Sequence, residues 1–427
     1  MTSARRAAYD VLHEVGASDA YANLALSQVL RGSDLSVADK GLATDLVYTT
    51  LRRRLTLDAV LAQFINRPLA KVDPRVLDIM RMACVEHLYL GKPPHAVVDN
   101  AVRLTQSVGA GAAKGFVNAV MRKVVAQPPE ALLASTLAGL SGDAEKEAQF
   151  SHPAWIMRAL RDVLGPTELP ALLDRNNEAP PLTLAARGID RDTLPGEPTP
   201  WSPWGVYAHG DPGRLAEVRD GRAGVQDLGS QLMVLALSRA SVQGPDDAWL
   251  DMCAGPGGKA ALLAELAPGR VVCVEQHEHR ARLVEQAVRG QAEVVVGDAG
   301  AVEGTFSRVL LDAPCSGLGV LRRRPEARWR RKPSDIPDLA ALQTRLLNHA
   351  LDVCQPGGVV GYVTCSPHLA ETDFIVEDVL RRRDDAVQED AAALLPDVPD
   401  ARDGHAVRLW PHRHDTDGMY LALLRRR

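Results

Sequence analysis

Two cysteines in this 427-residue chain occupy positions where a thiol could act as a nucleophile. Cys315 follows the apolar run 309–311, and Cys365 follows the run 358–363. Both runs predict parallel strands, and open α/β sheets bind ligands at the carboxyl ends of such strands. A thiolate at that edge can add to an electron-poor carbon atom. The alternative for each cysteine is a buried, inert thiol, which is common for free cysteine.

A glycine-rich turn lies upstream of both thiols. An apolar run reaches Asp251, the turn Gly255-Pro-Gly-Gly follows, and a helical segment begins at Lys259. Glycines let a ligand approach main-chain N–H groups, and the start of a helix adds a partial positive charge. Glu275 ends the next apolar run about twenty residues later, where an acidic side chain grips a ribose in nucleotide sites. The loop order fits a nicotinamide or flavin fingerprint poorly, and alone it is equally compatible with a structural turn.

The loop, the Pro-Cys pair and the Thr-Cys pair together resemble the Sun family of RNA cytosine-5 methyltransferases, most closely its bacterial members that modify 16S ribosomal RNA. The resemblance covers nearly the whole chain. It implies that Cys365 attacks carbon 6 of cytosine, that Cys315 helps to release the product, and that Asp312 hydrogen-bonds the target base. The methyl donor would be S-adenosylmethionine (SAM), with no metal. The residues implied in binding SAM are Cys253, Ala254, Gly255, Pro256, Gly257, Gly258, Lys259, Glu275, Asp298 and Asp312.

Two departures from that family are local. Many relatives have alanine where this chain has Gly255. After the second cysteine, relatives with Glu-Glu-Asn differ from this chain, which has Ala-Glu371-Thr. The second departure leaves the acidic contact at that position open.

Strands and helices alternate in the second half of the chain, which predicts a mainly parallel, doubly wound sheet. Residues 225–427 are therefore expected to form a Rossmann-like methyltransferase domain of the α/β class, and by resemblance its last strand is antiparallel. The predicted strands lie near 248–251, 270–274, 292–296, 308–312, 358–364 and 418–424, and the predicted helices near 259–266, 278–289, 338–354 and 369–382.

Residues 1–140 are expected to form an all-α domain, because apolar residues recur there at helical spacing. The phrase Gly115-Phe-Val-Asn-Ala-Val-Met-Arg resembles the NusB-like RNA-binding domain that precedes the methyltransferase domain in this family. Residues 145–224 resemble its small α/β linking domain. The stretch 126–150 is interpreted as a linker or an irregular helical connection, and 185–224 shows few clear elements.

The net charge of −5 conceals an uneven distribution. Residues 1–125 carry 16 Lys+Arg and 11 Asp+Glu, so the remainder of the chain is strongly acidic. The densest basic stretch is 322–332, with seven cations and one acid. Guanidinium groups meet RNA phosphates, and aromatic rings stack on unpaired bases. The residues expected to bind RNA around an unstacked cytosine are Arg322, Arg324, Trp329 and Arg330, with a solvated loop as the alternative.

Composition limits the setting and the partners. The six cysteines lack the spacing of a disulfide framework, which indicates a reducing, cytoplasmic location. No apolar run has membrane-spanning length. The expected partner is 16S rRNA, either naked or in an early small-subunit particle, and the protein is expected to be a monomer. Two alternatives stay open: methylation of tRNA or another RNA, and a non-catalytic RNA-binding scaffold.

Overall fold

The computed structural model describes residues 3–18 and 20–427. Its α-helices are α1 (Ala4–Ala17), α2 (Ala22–Arg31), α3 (Val37–Arg52), α4 (Arg54–Ala62), α5 (Pro74–Leu88), α6 (Pro94–Ser107), α7 (Lys114–Val124), α8 (Pro129–Ala138), α9 (Gly142–Phe150), α10 (Ala154–Leu164), α11 (Leu169–Arg175), α12 (Ala216–Arg219), α13 (Leu228–Arg239), α14 (Gly258–Leu266), α15 (Glu278–Val288), α16 (Ala327–Arg330), α17 (Asp335–Val353), α18 (Asp373–Arg382) and α19 (Pro411–His414). Its strands are β1 (Leu182–Ala186), β2 (Glu197–Pro198), β3 (Gly205–Ala208), β4 (Ala223–Val225), β5 (Ala248–Asp251), β6 (Arg270–Glu275), β7 (Glu293–Val296), β8 (Phe306–Asp312), β9 (Cys354–Thr364), β10 (Ala386–Glu389), β11 (Arg402–Asp403), β12 (Ala406–Leu409) and β13 (Met419–Arg426).

These described residues divide into two compact units. The first, called the helical unit, contains the residues up to 161 together with 166–178 and 321–330. The second, called the sheet unit, contains 162–165, 179–320 and 331–427. Residues 1, 2 and 19 of the predicted helical domain lie outside the described part of the chain.

The helical unit forms where the sequence supplies caps and apolar stripes. The Ser36 side chain accepts from the main-chain N–H of Asp39 at the start of α3, and Asp73 does the same for Arg75 at the start of α5. Helix α5 is buried along most of its length. Removal of apolar area from water is the main stabilising contribution in such a bundle. Its largest fully buried side chains include Leu46, Leu57, Leu61, Ile79, Met80, Met121 and Leu132.

Residues 126–150 are more regular than the sequence suggests. Helices α8 and α9 occupy most of this stretch. It is therefore not a linker, and its helices are regular where the sequence predicted at most an irregular helical connection. Pro129 begins α8, where a missing N–H costs nothing. The predicted linking domain, residues 145–224, is divided between the two units. The three-domain division stays a prediction.

Residues 182–225 of the sheet unit form an antiparallel sheet in the order β2-β3-β1-β4. The strands are short and separated by turns, so periodicity gave little sign of them. Gln231 connects helix α13 to this sheet, because its side-chain amide donates to the main-chain oxygen of Gln226, directly after β4, at 3.0 Å. Its side-chain oxygen accepts from Ser202 at 2.5 Å.

A larger sheet has the strand order β11-β12-β13-β9-β8-β5-β6-β7, with β10 paired to β13. The segment from β9 through β8, β5 and β6 to β7 is parallel, whereas β13 runs antiparallel to β9. Helices α13, α14 and α15 contribute to the apolar core on one face, and α17 and α18 to the core on the other. The predicted doubly wound, mainly parallel fold is confirmed, including its antiparallel last strand.

Helices in the described ranges include none long and apolar enough to cross a membrane.

Candidate active site

The two thiols singled out in the sequence meet at the carboxyl ends of neighbouring strands. The Sγ atoms of Cys315 and Cys365 are 3.4 Å apart, and both side chains are free thiols. Strands β8 and β9 are paired up to Asp312 and Val363, so the loops after them start side by side. The main-chain N–H of Gly319 also donates to the oxygen of Cys365 at 2.8 Å. A Cβ at Gly319 would lie 2.0 Å from the oxygen of Gly418, so only glycine permits this approach.

An ion pair lies at the same edge of the sheet. Lys259 Nζ, in the first turn of α14, is 2.7 Å from Asp312 Oδ2 at the end of β8. Burial opposes the charge on Lys259, but the ion pair with Asp312, and to a smaller extent the charge of an ionised Cys365 sulfur, hold the pKa of the ammonium above its usual value. A fixed positive charge is thus available next to Cys365. Such a charge favours the thiolate form of a cysteine.

The two thiols are not equivalent. The pKa of Cys315 is raised well above its usual value, first by the hydrogen bond with Cys365, then by burial and by the negative charge of Glu371. Cys315 therefore keeps its proton at neutral pH and can donate it in the contact with Cys365. A thiol that must stay protonated is a poor nucleophile, because the thiolate is the reactive form.

The glycine-rich loop is shaped by close approaches. Gly257 has φ of +107°, and a Cβ there would lie 2.7 Å from the Cβ of Ala287 on α15. At Gly255 a Cβ would lie 2.0 Å from Glu275 Oε2. The buried Glu275 is thereby kept directly against the loop, and Arg280 donates to the main-chain oxygen of Gly255 at 2.6 Å. A glycine-rich turn beside a buried acid at the start of a helix matches the requirements of a nucleoside ligand.

The remaining predicted residues follow the same edge. Cys253 and Ala254 lead into the turn, and Pro256 and Gly258 complete it. Asp298 follows β7, and its exposed carboxylate accepts from the N–H of Gly300 at 2.9 Å, which lowers its pKa. Strands β5, β6, β7, β8 and β9 thus bring all the predicted catalytic and SAM-binding residues to one edge. Their individual roles stay predictions.

Comparisons with known proteins find similarity along nearly the whole chain. A family model described as 16S rRNA methyltransferase RsmB/F matches residues 241–425, and the NusB family model matches residues 2–126. Ribosomal RNA small subunit methyltransferase B of Salmonella arizonae is 30% identical over 427 residues, covering 93% of this chain and 94% of that protein. The chain belongs to the RsmB/F family of 16S rRNA methyltransferases. The family resemblance drawn from the sequence is confirmed.

Two further similarities extend over almost the full length of this RsmB/F methyltransferase. A Mycobacterium tuberculosis protein, named as a methyltransferase without a stated substrate, is 44% identical over 99% of this chain and 96% of its own length. The crystal structure of PH0851 has the same fold, with a TM-score of 0.81 at 20% identity over 99% of this chain and 98% of that one. Membership in the family makes the protein a SAM-dependent RNA methyltransferase.

The basic stretch of this methyltransferase differs from its prediction. Arg322 has no exposed surface, so its predicted contact with RNA is incorrect. The Trp329 indole N–H donates to the main-chain oxygen of Leu51 at 3.0 Å, and Arg330 donates to that of Val15 at 3.0 Å. These two residues attach the segment 321–330 to the helical unit, and their RNA contacts stay predictions. Arg324 is exposed, with its guanidinium 4.9 Å from the ring centre of Tyr21.

The strongest anchor of this segment was not predicted. Arg328 is fully buried and donates to the main-chain oxygens of Arg52, Ser151 and Asn176 at 2.7–3.0 Å, and to the side-chain oxygen of Asn177 at 2.7 Å. An arginine that donates to main-chain oxygens cannot be told from a phosphate-binding arginine by sequence alone, because both occur in basic runs. Only the positions of the acceptors distinguish them.

Two acidic residues of the site were also missed as functional candidates, Asp251 and Glu371. Asp251 ends β5 and is fully buried. Burial, together with the charge of Asp312, raises the pKa of Asp251 to about 7. Its position at the end of a predicted strand was a sign of a functional role, but an aspartate at a strand end is usually a turn residue. Glu371 was noted only within a departure from the family pattern after Cys365, where the acidic contact was left open.

The raised pKa of Asp251 predicts a pH dependence of stability that Asp251→Asn should remove. The folded state holds a proton on Asp251 up to a pH of about 7, whereas the unfolded chain releases it near its ordinary value of 3.8. Stability from this group is present below that lower value and is lost as pH rises through the upper one. The difference in unfolding free energy, variant minus wild type, should rise by up to about 1.4 kcal/mol per pH unit within this window.

Urea titrations from about pH 4.5 to 8 would measure that difference. Asp247→Asn, an exposed position just before β5, is the matched control for the change of side chain. A flat difference for Asp251→Asn would mean that this carboxyl is ionised in the folded protein throughout.

Proposed function

We propose that this RsmB/F protein transfers the methyl group of SAM to carbon 5 of a specific cytosine in 16S rRNA, through a covalent bond between Cys365 and carbon 6. The observation that carries the proposal is the Cys315–Cys365 pair, with Sγ atoms 3.4 Å apart at the ends of β8 and β9. In the Lys259–Asp312 ion pair beside it, the Lys259 ammonium supplies a positive charge that favours a thiolate, and the Asp312 carboxylate supplies a hydrogen-bond acceptor for the target cytosine. A scaffold protein without catalysis needs none of these groups.

The chemistry requires one thiolate and one thiol. Carbon 5 of cytosine is a poor nucleophile until the Cys365 thiolate adds to carbon 6 and moves an electron pair onto carbon 5. That pair forms the new bond to the methyl carbon supplied by SAM, while the bond between this carbon and the donor's sulfur breaks, its electron pair stays on that sulfur, and S-adenosylhomocysteine is released. A base then removes the remaining proton on carbon 5, the 5,6 double bond re-forms, and sulfur leaves carbon 6. Cys315, which keeps its proton, is suited to assist the departure of the Cys365 sulfur.

The chain's own groups fit the methyl donor. The start of α14 directly follows the glycine-rich turn, and the missing Cβ at Gly255 lets the Glu275 carboxylate lie against that turn. The carboxylate of Glu275 is held by the N–H of His277 at 2.9 Å and can accept from the ribose hydroxyls. Asp298 lies at the next strand end for the adenine amino group. SAM, when bound, supplies an electrophilic methyl group.

The rRNA would be engaged by exposed cations. Arg324 is the residue of the predicted RNA-binding set that keeps an exposed guanidinium, and it remains a proposed phosphate contact. The predicted 16S target rests on the family to which the chain belongs.

The proposal predicts label at a single cytosine when the protein is incubated with methyl-labelled SAM and protein-free 16S rRNA. Nuclease digestion and mass spectrometry of the labelled nucleoside would identify 5-methylcytidine, and sequencing would locate it. Assembled small subunits and tRNA serve as parallel substrates, with Cys365→Ala as the background.

Each result decides a different part of the proposal. Label on assembled subunits alone would keep the chemistry and set the substrate form. Label on tRNA but not on 16S rRNA would move the substrate. Label at a cytosine atom other than carbon 5, or no label on any RNA, would refute the proposed reaction.

A further inference from the structure

Each reactive-site cysteine is directly followed by a serine, and the two serines meet beneath the thiols. Ser316 follows Cys315, Ser366 follows Cys365, and the two hydroxyl oxygens are 3.0 Å apart. Both serine side chains are buried. The loops after β8 and β9 therefore meet through both sulfur and hydroxyl side chains, in addition to the hydrogen bond from Gly319 to Cys365.

The carboxylate of Glu371 lies between these loops and has no exposed surface. Its Oε1 accepts from the main-chain N–H of Ser316 at 2.7 Å and from Gln343 Nε2 at 3.1 Å. Its Oε2 accepts from the hydroxyls of Ser316 at 2.5 Å and of Ser366 at 2.6 Å. A carboxylate has about four accepting positions, so these donors use its full capacity.

The surroundings hold this carboxylate in place. The phenol of Tyr362 donates to the main-chain oxygen of Glu371 at 2.8 Å. Gln343 also donates to the main-chain oxygen of Pro314 at 2.8 Å, which fixes the residue that precedes Cys315. Neither loop can shift without stretching hydrogen bonds to a buried charge, which are the strong kind.

We propose that Glu371 is a positioning residue that sets the distance between the Cys315 and Cys365 thiols, by accepting from the residue directly after each of them. The role for catalysis rests on the proposed function, because attack by one cysteine and release assisted by the other need both sulfurs at the same carbon. The spacing itself does not depend on the reaction. The two claims can therefore be tested separately.

Glu371→Gln is the informative substitution because it keeps size and shape. An amide has one accepting oxygen and a donating NH₂ group, so the two serine hydroxyls lose their shared acceptor and must turn to accept from the NH₂ group instead. The hydrogen bonds to a buried charge that held both loops are replaced by weaker neutral ones, and the loops are free to shift. Loss of defined thiol spacing is the expected result, with the fold retained.

The thiol spacing can be measured without RNA or SAM, using phenylarsine oxide on the full-length protein. This trivalent arsenical condenses with two neighbouring thiols, forming two As–S bonds and releasing water. Wild type should bind one equivalent tightly, and Cys315→Ala should lose that site. For Glu371→Gln the affinity should fall at least tenfold, while SAM binding measured by calorimetry should stay within about twofold of wild type.

Tyr362→Phe is the matched control. It removes the hydrogen bond to the main-chain oxygen of Glu371 and a long contact of 3.4 Å with Gln343 Oε1, but leaves the carboxylate and both serine donors in place. It should destabilise the fold to a similar extent and bind the arsenical like wild type. If Glu371→Gln fails to fold, Ser366→Ala removes only the donor on the Cys365 side, and a severalfold loss of arsenical affinity is expected.

The outcomes separate the two proposals. Unchanged arsenical affinity in folded Glu371→Gln, or an equal loss in Tyr362→Phe, would overturn the positioning role. Weakened arsenical binding in Glu371→Gln together with a fall in kcat and little change in KM for RNA would support both claims. Weakened arsenical binding in a protein whose wild type methylates no RNA would support the positioning role and refute the proposed reaction.

Discussion

Replacing Cys365 with alanine is expected to abolish methyl transfer to RNA, by a factor on the order of 10⁴ or more. Without the sulfur nothing adds to carbon 6, and carbon 5 stays too weak a nucleophile to attack the methyl group. The neighbouring Cys315 is not expected to take over, because burial and the negative charge of Glu371 still raise the pKa of its thiol when Cys365 is gone. Single-turnover assays with excess enzyme would measure the loss of the chemical step itself.

Cys354→Ala provides the matched control. Cys354 begins the same strand, β9, whose far end leads to Cys365, and it is buried away from the site. The same change of side chain there should cost stability but leave the rate per folded molecule near wild type. Turnover by Cys365→Ala within about tenfold of wild type would show that another group is the nucleophile.

Replacing Cys315 with alanine should cause a covalent protein–RNA complex to accumulate. Attack by Cys365 and methylation of carbon 5 do not require Cys315, whereas departure of the sulfur is the step that its proton can assist. The methylated adduct should then approach one RNA per protein, against a trace in wild type. Denaturing gel electrophoresis after incubation with SAM and 16S rRNA would detect it as a slowly migrating band.

The double variant, Cys315→Ala with Cys365→Ala, tests the origin of that band. It should give no adduct, because the bond to RNA is made by Cys365. A band that persists in the double variant would place the covalent bond elsewhere. Normal turnover by Cys315→Ala without any adduct would remove Cys315 from the release step.

The catalytic half of the fold could be predicted because its periodicity and its motifs agree. Buried parallel strands appear as apolar runs, and each run ends in a residue that chemistry could use, such as Asp312 or Glu275. Strand ends of a parallel sheet meet at one edge, so the grouping of the site follows from the order of elements. The 3.4 Å contact between Cys315 and Cys365 depends on the pairing of β8 with β9, which no local pattern contains.

The features that escaped prediction depend on contacts distant in sequence. The sheet of residues 182–225 consists of strands of two to five residues, too short for alternation to register. Glu371 looked like an ordinary acid in a loop, because its donors come from three other elements. The basic run around Arg328 was predicted to be an RNA-binding surface. Composition alone cannot show that the guanidinium of Arg328 donates to main-chain oxygens of distant residues.

Because of the segment 321–330, the two units cannot complete their folding in the order in which they are synthesised. The helical unit is mostly encoded first, yet it includes these ten residues from far later in the chain. Until they leave the ribosome, the acceptors of Arg328 at Arg52, Ser151 and Asn176 lack that donor. Domains usually complete their folding in the order in which they are made. Here the first unit to emerge is finished only after strands β5 to β8 of the second have been synthesised, so a fragment ending at Glu178 lacks part of its own interior.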